Sequence, residues 1–377
     1  MTLRRALALG WLLSCLAGSV SLGASSVPAR GASSSVPVLA YYYIWFDVKS
    51  WDRAKTDFPI LGRYSSDDQE IMREHVRMAQ QAGIDGFIVS WKSTEKLNRR
   101  LEQLIEVANA EDFKLAIIYQ GLDFYRKPLP VTRIKADVAY FVERYADNQA
   151  FTLFGAPLMI WSGTWEFSAD DVASVAAPYA DRLLLLASEK NVAGYQRLAA
   201  FVDGNAYYWS SVNPETFPGY QEKLDAMAEA IHADGGYWIA PAAPGFDARE
   251  IGGTRTVERQ DGATLRRQME AAIRSSPDAV GLISWNEFSE NSHIEPSVDH
   301  GTRYLEVLAE IRDAQAGPGS VLRLSDVDSS APGSTAFEPY NLAILGMLVA
   351  LVVASMAVIV RRNRHNDQEI RKSDLVS

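Results

Sequence analysis

Across residues 36–314 one pattern recurs: a short apolar run of strand length, then an amphipathic stretch of helical period. The strand runs fall at residues 36–43, 86–91, 114–119, 157–161, 182–187, 201–208, 237–240 and 280–285. The helical stretches fall at 66–82, 95–111, 133–146, 169–179, 192–200, 220–233, 263–274 and 302–314. Eight strands alternating with eight helices predict a (β/α)8 TIM barrel. An open doubly wound sheet would place a glycine-rich turn after its first strand, and Tyr43-Ile44-Trp45-Phe46 is not one. Local signals agree. Ser66 with Gln69 reads as a capping box opening the first helix, Gly83 as its stop, and Ser168 with Asp170 and Asp171 as the start of the fourth.

The ends read differently. Residues 1–32 carry Arg4 and Arg5, an apolar stretch and then small residues, the pattern of a secretory signal. The barrel domain is expected over residues 33–315 and a Gly/Ser/Pro/Asp-rich linker over 316–340. Residues 341–361 contain the uncharged run LAILGMLVALVVASMAVIV, long enough to cross a bilayer as one helix. Arg361, Arg362 and Arg364 follow at once and predict a cytoplasmic tail over residues 362–377. The expected protein is thus a single-pass membrane protein with its barrel outside the cytoplasm.

The single cysteine, Cys15, lies in the leader, so thiol chemistry and thiolate zinc sites are excluded from the mature chain. A net charge of −10 argues against nucleic acid as a partner. No glycine-rich phosphate loop and no Gly-x-Ser-x-Gly elbow occurs.

In a barrel the chemistry gathers where strands end. Here those ends are aromatic: Tyr41, Tyr42, Tyr43 and Trp45 at the first, Trp91 at the second, Tyr119 beside Gln120 at the third, Trp161 at the fourth, Tyr207 and Tyr208 at the sixth, Trp285 at the eighth. Aromatic faces beside hydrogen-bonding groups suit sugar rings, and the same rings also serve to cap a barrel core. The eighth strand then releases Asn286, Glu287, Glu290 and Glu295. Two carboxyl groups, one protonated and one ionised, are what glycoside hydrolysis needs, and Glu287 and Glu290 are the candidate pair. Arg255, in the long loop after the seventh strand, is the arginine chosen to meet sugar hydroxyls. His293 and His300 with Asp299 form a weak metal candidate that reads better as a polar rim; no metal or cofactor is expected.

The segment Ser284-Trp285-Asn286-Glu287-Phe288-Ser289-Glu290, with Ile294-Glu295 beyond it, resembles the signature of the endo-α-mannosidases of glycoside hydrolase family 99. Leu61-Gly62-Arg63-Tyr64 running into Ser65-Ser66-Asp67-Asp68, Tyr41-Tyr42-Tyr43-Ile44-Trp45 and Ala243-Pro244-Gly245-Phe246-Asp247 match it as well. The resemblance implies a (β/α)8 fold and a metal-independent, retaining, endo-acting hydrolase of α-linked mannose. It makes Glu287 the base that deprotonates the sugar 2-hydroxyl and Glu290 the acid/base. From the strand ends and the loops that follow them, Tyr42, Tyr43, Trp45, Trp91, Tyr119, Gln120, Trp161, Tyr207, Tyr208, Arg255, Trp285, Asn286 and Glu295 are the candidates for substrate contact. Two departures stand out: Asn291-Ser292 replaces the Gly-Thr usual after the second Glu, and Gln120 stands where well-known members carry Glu. Two other readings remain: a surface carbohydrate-binding protein without turnover, and a glycan-assembly enzyme working in reverse.

Overall fold

The computed structural model describes residues 36–316, all within one compact unit. The predicted signal, the apolar span at 341–361, the tail and all of the linker but Ala316 lie outside the described residues. Among the described residues no helix is long and apolar enough to cross a membrane.

Eight parallel strands form the sheet: β1 Val38–Tyr43, β2 Gly86–Trp91, β3 Lys114–Gln120, β4 Leu158–Ser162, β5 Leu184–Leu186, β6 Gly204–Ala206, β7 Tyr237–Ala242 and β8 Ala279–Leu282. Their order, β5-β4-β3-β2-β1-β8-β7-β6, leaves β5 and β6 as the two ends. Those ends meet: Ala187 N–H donates to Gly204 O, and Ala206 N–H to Ala187 O, each at 2.9 Å. The sheet is therefore closed into a (β/α)8 barrel.

The helices are α1 Gln69–Gln81, α2 Glu95–Ala110, α3 Val131–Tyr145, α4 Ala169–Ala176, α5 Val192–Leu198, α6 Tyr220–Ala233, α7 Ala263–Arg274 and α8 Arg303–Ala316. The expected capping box of α1 is corrected: Asp68 is the N-cap, accepting from Glu70 and Ile71 N–H, while Ser66 Oγ accepts from Phe46 N–H at 3.1 Å. The box at α4 is as expected, with Ser168 and Asp171 bonded reciprocally.

Side chains alternate across each strand, as pleating requires. Leu39, Tyr41 and Tyr43 of β1 belong to the core inside the barrel; Val38, Ala40 and Tyr42 belong to the layer between barrel and helices. That alternation decides which aromatic at each strand end can meet a ligand.

β8 is shorter than the apolar run predicts. Ile283 N–H still pairs with Ala242 O at 2.7 Å, but Ser284 N–H turns to Ser292 O at 2.7 Å. The chain leaves β7 there, keeping one bond to β1 from Trp285 N–H to Tyr41 O at 2.8 Å, and folds back on itself; that fold carries the two candidate carboxylates.

Candidate active site

A cavity of about 590 Å³ opens at the C-terminal ends of the strands, and Glu287 and Glu290 both line it. This is the size of an ordinary small-molecule site. Tyr43, Trp45, Gln120, Tyr207, Tyr208 and Arg255 line it too.

The loop after β8 is built to hold Glu287. Its N–H donates to Ser284 Oγ at 2.8 Å, and its Oε1 accepts Ser289 N–H at 3.1 Å. Asn286, fully buried, accepts Tyr43 N–H at 2.8 Å and donates to Tyr43 O at 3.0 Å, which ties the loop to the end of β1. A second clamp of the same kind lies across the barrel: Asn205 accepts Glu189 N–H at 2.7 Å and donates to Glu189 O at 3.1 Å. Backbone groups that leave a ladder need partners, and an amide side chain supplies a donor and an acceptor at once.

Burial disfavours the charged form of both carboxyl groups. Burial first, and the neighbouring Glu290 second, push the Glu287 carboxyl up to about 8, against the Ser289 N–H and the positive charge of Lys55. Glu290 is also raised by burial, against the pull of Arg126. Two close carboxyl groups in one cavity titrate as a pair, and near neutral pH this pair retains a proton. Tyr43 and Tyr208 bond to each other through their hydroxyls, and burial raises both phenols well above their ordinary range. Both therefore stay neutral and able to donate.

The remaining candidates do not line the cavity. Tyr42, Trp91, Tyr119 and Trp161 occupy outward positions of their strands and pack under the helices. Tyr42 stacks on Phe87 with ring centroids 4.4 Å apart, Tyr119 donates to Asp137 at 3.1 Å, Trp91 donates to Asn98 at 3.0 Å, and Trp161 packs on Phe167. Trp285 is fully buried against Phe87 and His75. Glu295 lies beneath the site, accepting Tyr64 Oη–H at 2.8 Å and facing His75 Nε2 at 3.0 Å; His75 Nδ1 in turn meets Tyr42 Oη at 2.9 Å. With the ring proton on Nε2, every polar atom of this buried chain has a partner. Tyr64 also accepts from Asn286 at 3.2 Å, so the chain supports the clamp on Tyr43.

Three groups near the candidate pair escaped the sequence reading, and a fourth, Tyr41, stood among the strand-end aromatics without being chosen as a substrate contact. Tyr41 lines the cavity, and strict alternation along β1 singles it out with Tyr43. Glu189 follows β5 as Glu287 follows β8, and pairs with Arg197 at 3.1 Å. Arg126 lines the cavity from the turn after β3. Lys55 donates to Ser289 Oγ at 3.2 Å, beside Glu287; nothing local in the sequence marks it.

Of the three arginines after β7, Arg255 alone lines the cavity: Arg249 is bound to Asp247, and Arg259 is half-buried, donating to Asn291 O and His293 O. In the histidine cluster Asp57, not Asp299, joins His293 and His300, with ligand atoms within 4.8 Å of one another. Asp57 already accepts from Phe58 N–H and Asp299 N–H and faces His293 Nε2 at 3.0 Å. The Arg259 charge beside the histidines helps burial push His293 down to about 3. The donor set fits an internal polar brace better than a cation site, which would stand next to a guanidinium.

A family model described as glycosyl hydrolase family 99 matches residues 47–315. The chain is 23% identical over 278 residues to a human (Homo sapiens) glycoprotein endo-alpha-1,2-mannosidase-like protein, covering 67% of this chain and 59% of that one. It is 21% identical over 276 residues to the glycoprotein endo-alpha-1,2-mannosidase of Rattus norvegicus, again covering 67% and 59%. The chain thus spans less than two thirds of the length of these relatives. Among solved structures, the GH99 endo-alpha-mannosidase of Bacteroides thetaiotaomicron superposes with a TM-score of 0.66 at 20% identity, over 74% of this chain and 97% of that one. A glycoside hydrolase-like protein superposes at 0.59 and 16% identity, over 76% and 96%. These likenesses establish the shared barrel fold.

Proposed function

The chain belongs to glycosyl hydrolase family 99, and from that premise we propose that it is an endo-acting, retaining hydrolase of α-linked mannose in a glycan. The observation that carries this reading is the shared cavity: Glu287 and Glu290 both face it, with the Tyr43–Tyr208 hydroxyl pair beside them. In the reacting complex the pair holds one proton. Glu290 gives it to the leaving glycosidic oxygen while Glu287 takes the proton of the sugar 2-hydroxyl, whose oxygen attacks C1. The product of that step is a 1,2-anhydro sugar. Glu290, now a base, removes a proton from water as the water oxygen opens the ring at C1, and Glu287 returns a proton to O2. Two inversions at C1 give net retention.

The stronger upward push falls on Glu287, the residue assigned the base role. A sugar hydroxyl donating to Glu287 favours its ionised form, and the proton then belongs on Glu290. Arg255, Tyr43 and Tyr208 line the cavity, and in this reading they meet hydroxyls of the bound sugar. Gln120 lines the same cavity and donates to Ser90 Oγ at 3.0 Å; as a neutral amide it offers hydrogen bonds without charge.

The test is incubation of the purified protein with α-mannans and α-glucans, with analysis of product length and of anomeric configuration by NMR. Oligosaccharides released with retained configuration are expected, and Glu287→Gln or Glu290→Gln should lower turnover by about 10²–10⁴-fold. Binding without product, unchanged by either substitution, would establish the non-catalytic reading instead. The apolar run at 341–361, followed by Arg361, Arg362 and Arg364, supports an outward-facing, single-pass arrangement. Protease protection of the tail in intact cells, with digestion of the barrel, is the expected result; the reverse would overturn it.

A further inference from the structure

Turns are normally polar, because their side chains face water. The turn after β3 departs from this. Phe124 is 92% exposed and Tyr125 79%, the two highest values among the exposed large hydrophobic side chains of the described residues. Their rings meet edge to face with centroids 5.6 Å apart.

The turn that carries them is firmly built. Leu122 bridges Pro128, Asp123 N–H donates to Lys127 O at 2.8 Å, and Arg126 N–H to Asp123 O at 3.0 Å. Asp123 Oδ1 accepts from both Tyr125 N–H and Lys127 N–H, at 2.8 and 2.9 Å. Its base is pressed onto the end of β4. Gly121 N–H donates to Ser162 O, and a Cβ on Gly163, whose φ is +92°, would stand 2.6 Å from the Leu122 side chain. Two exposed rings thus sit on a scaffold with little freedom, at the end of the barrel where the cavity opens.

The same turn reaches into the cavity. Arg126, next to Tyr125, lines it, and among the described residues it has no ion-pair partner, whereas Arg133 shortly after is held by Asp137 at 2.7 Å. The turn therefore offers flat apolar faces outside the cavity and free guanidinium donors at its rim. Sugar rings have apolar faces and hydroxyl edges, and a glycan running out of the cavity past Arg126 would meet both.

We infer that the turn at residues 122–128 is an outer glycan subsite, with Phe124 and Tyr125 as its platform and Arg126 as its polar contact, so that the substrate is a chain longer than the cavity. This rests on the hydrolase reading given above. Two rings at a rim also suit a lipid surface, but the direct continuity with the carboxylate cavity favours a glycan.

The full-length protein in detergent, its Phe124→Ala and Tyr125→Ala variants and the double variant are compared on polymeric α-mannan and on a short oligosaccharide cut from it. The ratio of kcat/KM for polymer to that for oligosaccharide should fall roughly three- to tenfold for each ring. Retardation of the same proteins in gels containing α-mannan should fall in parallel. Both side chains are exposed, so folding is expected to survive, and circular dichroism checks it. An unchanged ratio and unchanged retardation, with the wild-type enzyme active, overturn the subsite and leave the hydrolase reading standing. A wild-type protein that neither cleaves nor binds any α-mannan or α-glucan overturns both. Loss of sedimentation with anionic lipid vesicles, with the polymer ratio intact, assigns the rings to a membrane and also overturns the subsite.

Discussion

Asn286 grips the backbone of Tyr43 from both sides, accepting its N–H at 2.8 Å and donating to its carbonyl at 3.0 Å. The residue before the candidate base is thereby fixed to the residue whose hydroxyl stands in the cavity. Asn286→Ala would leave two buried backbone groups without partners, at a cost of about 2–4 kcal/mol. We expect a lower urea midpoint and a fall in kcat larger than the rise in KM. Asn286→Asp keeps the acceptor but sets an oxygen against the Tyr43 carbonyl, so it should approach wild type only at acid pH, where a protonated carboxyl can donate. Equal stability of the Ala variant and wild type would refute the clamp.

Glu295 lies under the site, with both oxygens engaged by buried partners, Tyr64 and His75. Glu295→Ala should therefore cost about 3–5 kcal/mol of stability, the price of stranding a buried polar partner. A direct role in holding sugar predicts otherwise: KM would rise while the urea midpoint stayed put. Measuring both quantities on one variant separates the two readings.

Much of this was readable in advance, for physical reasons. Eight alternations of strand and helix period leave few folds open, and the span from Asn286 to Glu290 follows the last strand with two carboxylates in reach of one cavity. What was misjudged was side-chain direction. Tyr41, Tyr42 and Tyr43 are equally aromatic, yet pleating turns the first and third inward and the second under the helices. The same rule separates Gln120, in the cavity, from Tyr119, on Asp137. Contacts made by loops are harder. Ser66 has the composition of a helix cap, but the chain uses it to hold Phe46, and Lys55 reaches Ser289 across 234 positions of sequence.

Arg126 pulls the Glu290 carboxyl down, against the burial that raises it. Removing that charge in Arg126→Gln should let Glu290 rise further. The pair then takes its second proton at a higher pH, so the acid limb of the kcat/KM profile moves up. Because Arg126 is exposed, the movement should be small, and weaker in high salt. A limb that moved down, or ignored salt, would contradict this placement.

Glu287 links the site to stability. Its carboxyl lies at about 8 in the folded chain, against an ordinary 4.5. Between those values the folded state keeps a proton that the unfolded chain has released. Stability therefore falls as pH rises from about 4.5 through 8, by at most about 5 kcal/mol and less where the cavity admits water. Glu287→Gln removes the ionisation and with it the loss. The variant should match wild type near pH 4.5 and be the more stable protein at pH 8.5, while its turnover collapses. Urea unfolding at the two pH values reads the difference directly. A variant that is less stable at pH 8.5 would mean that the carboxylate is stabilised in the fold, and that its high titration point is misplaced.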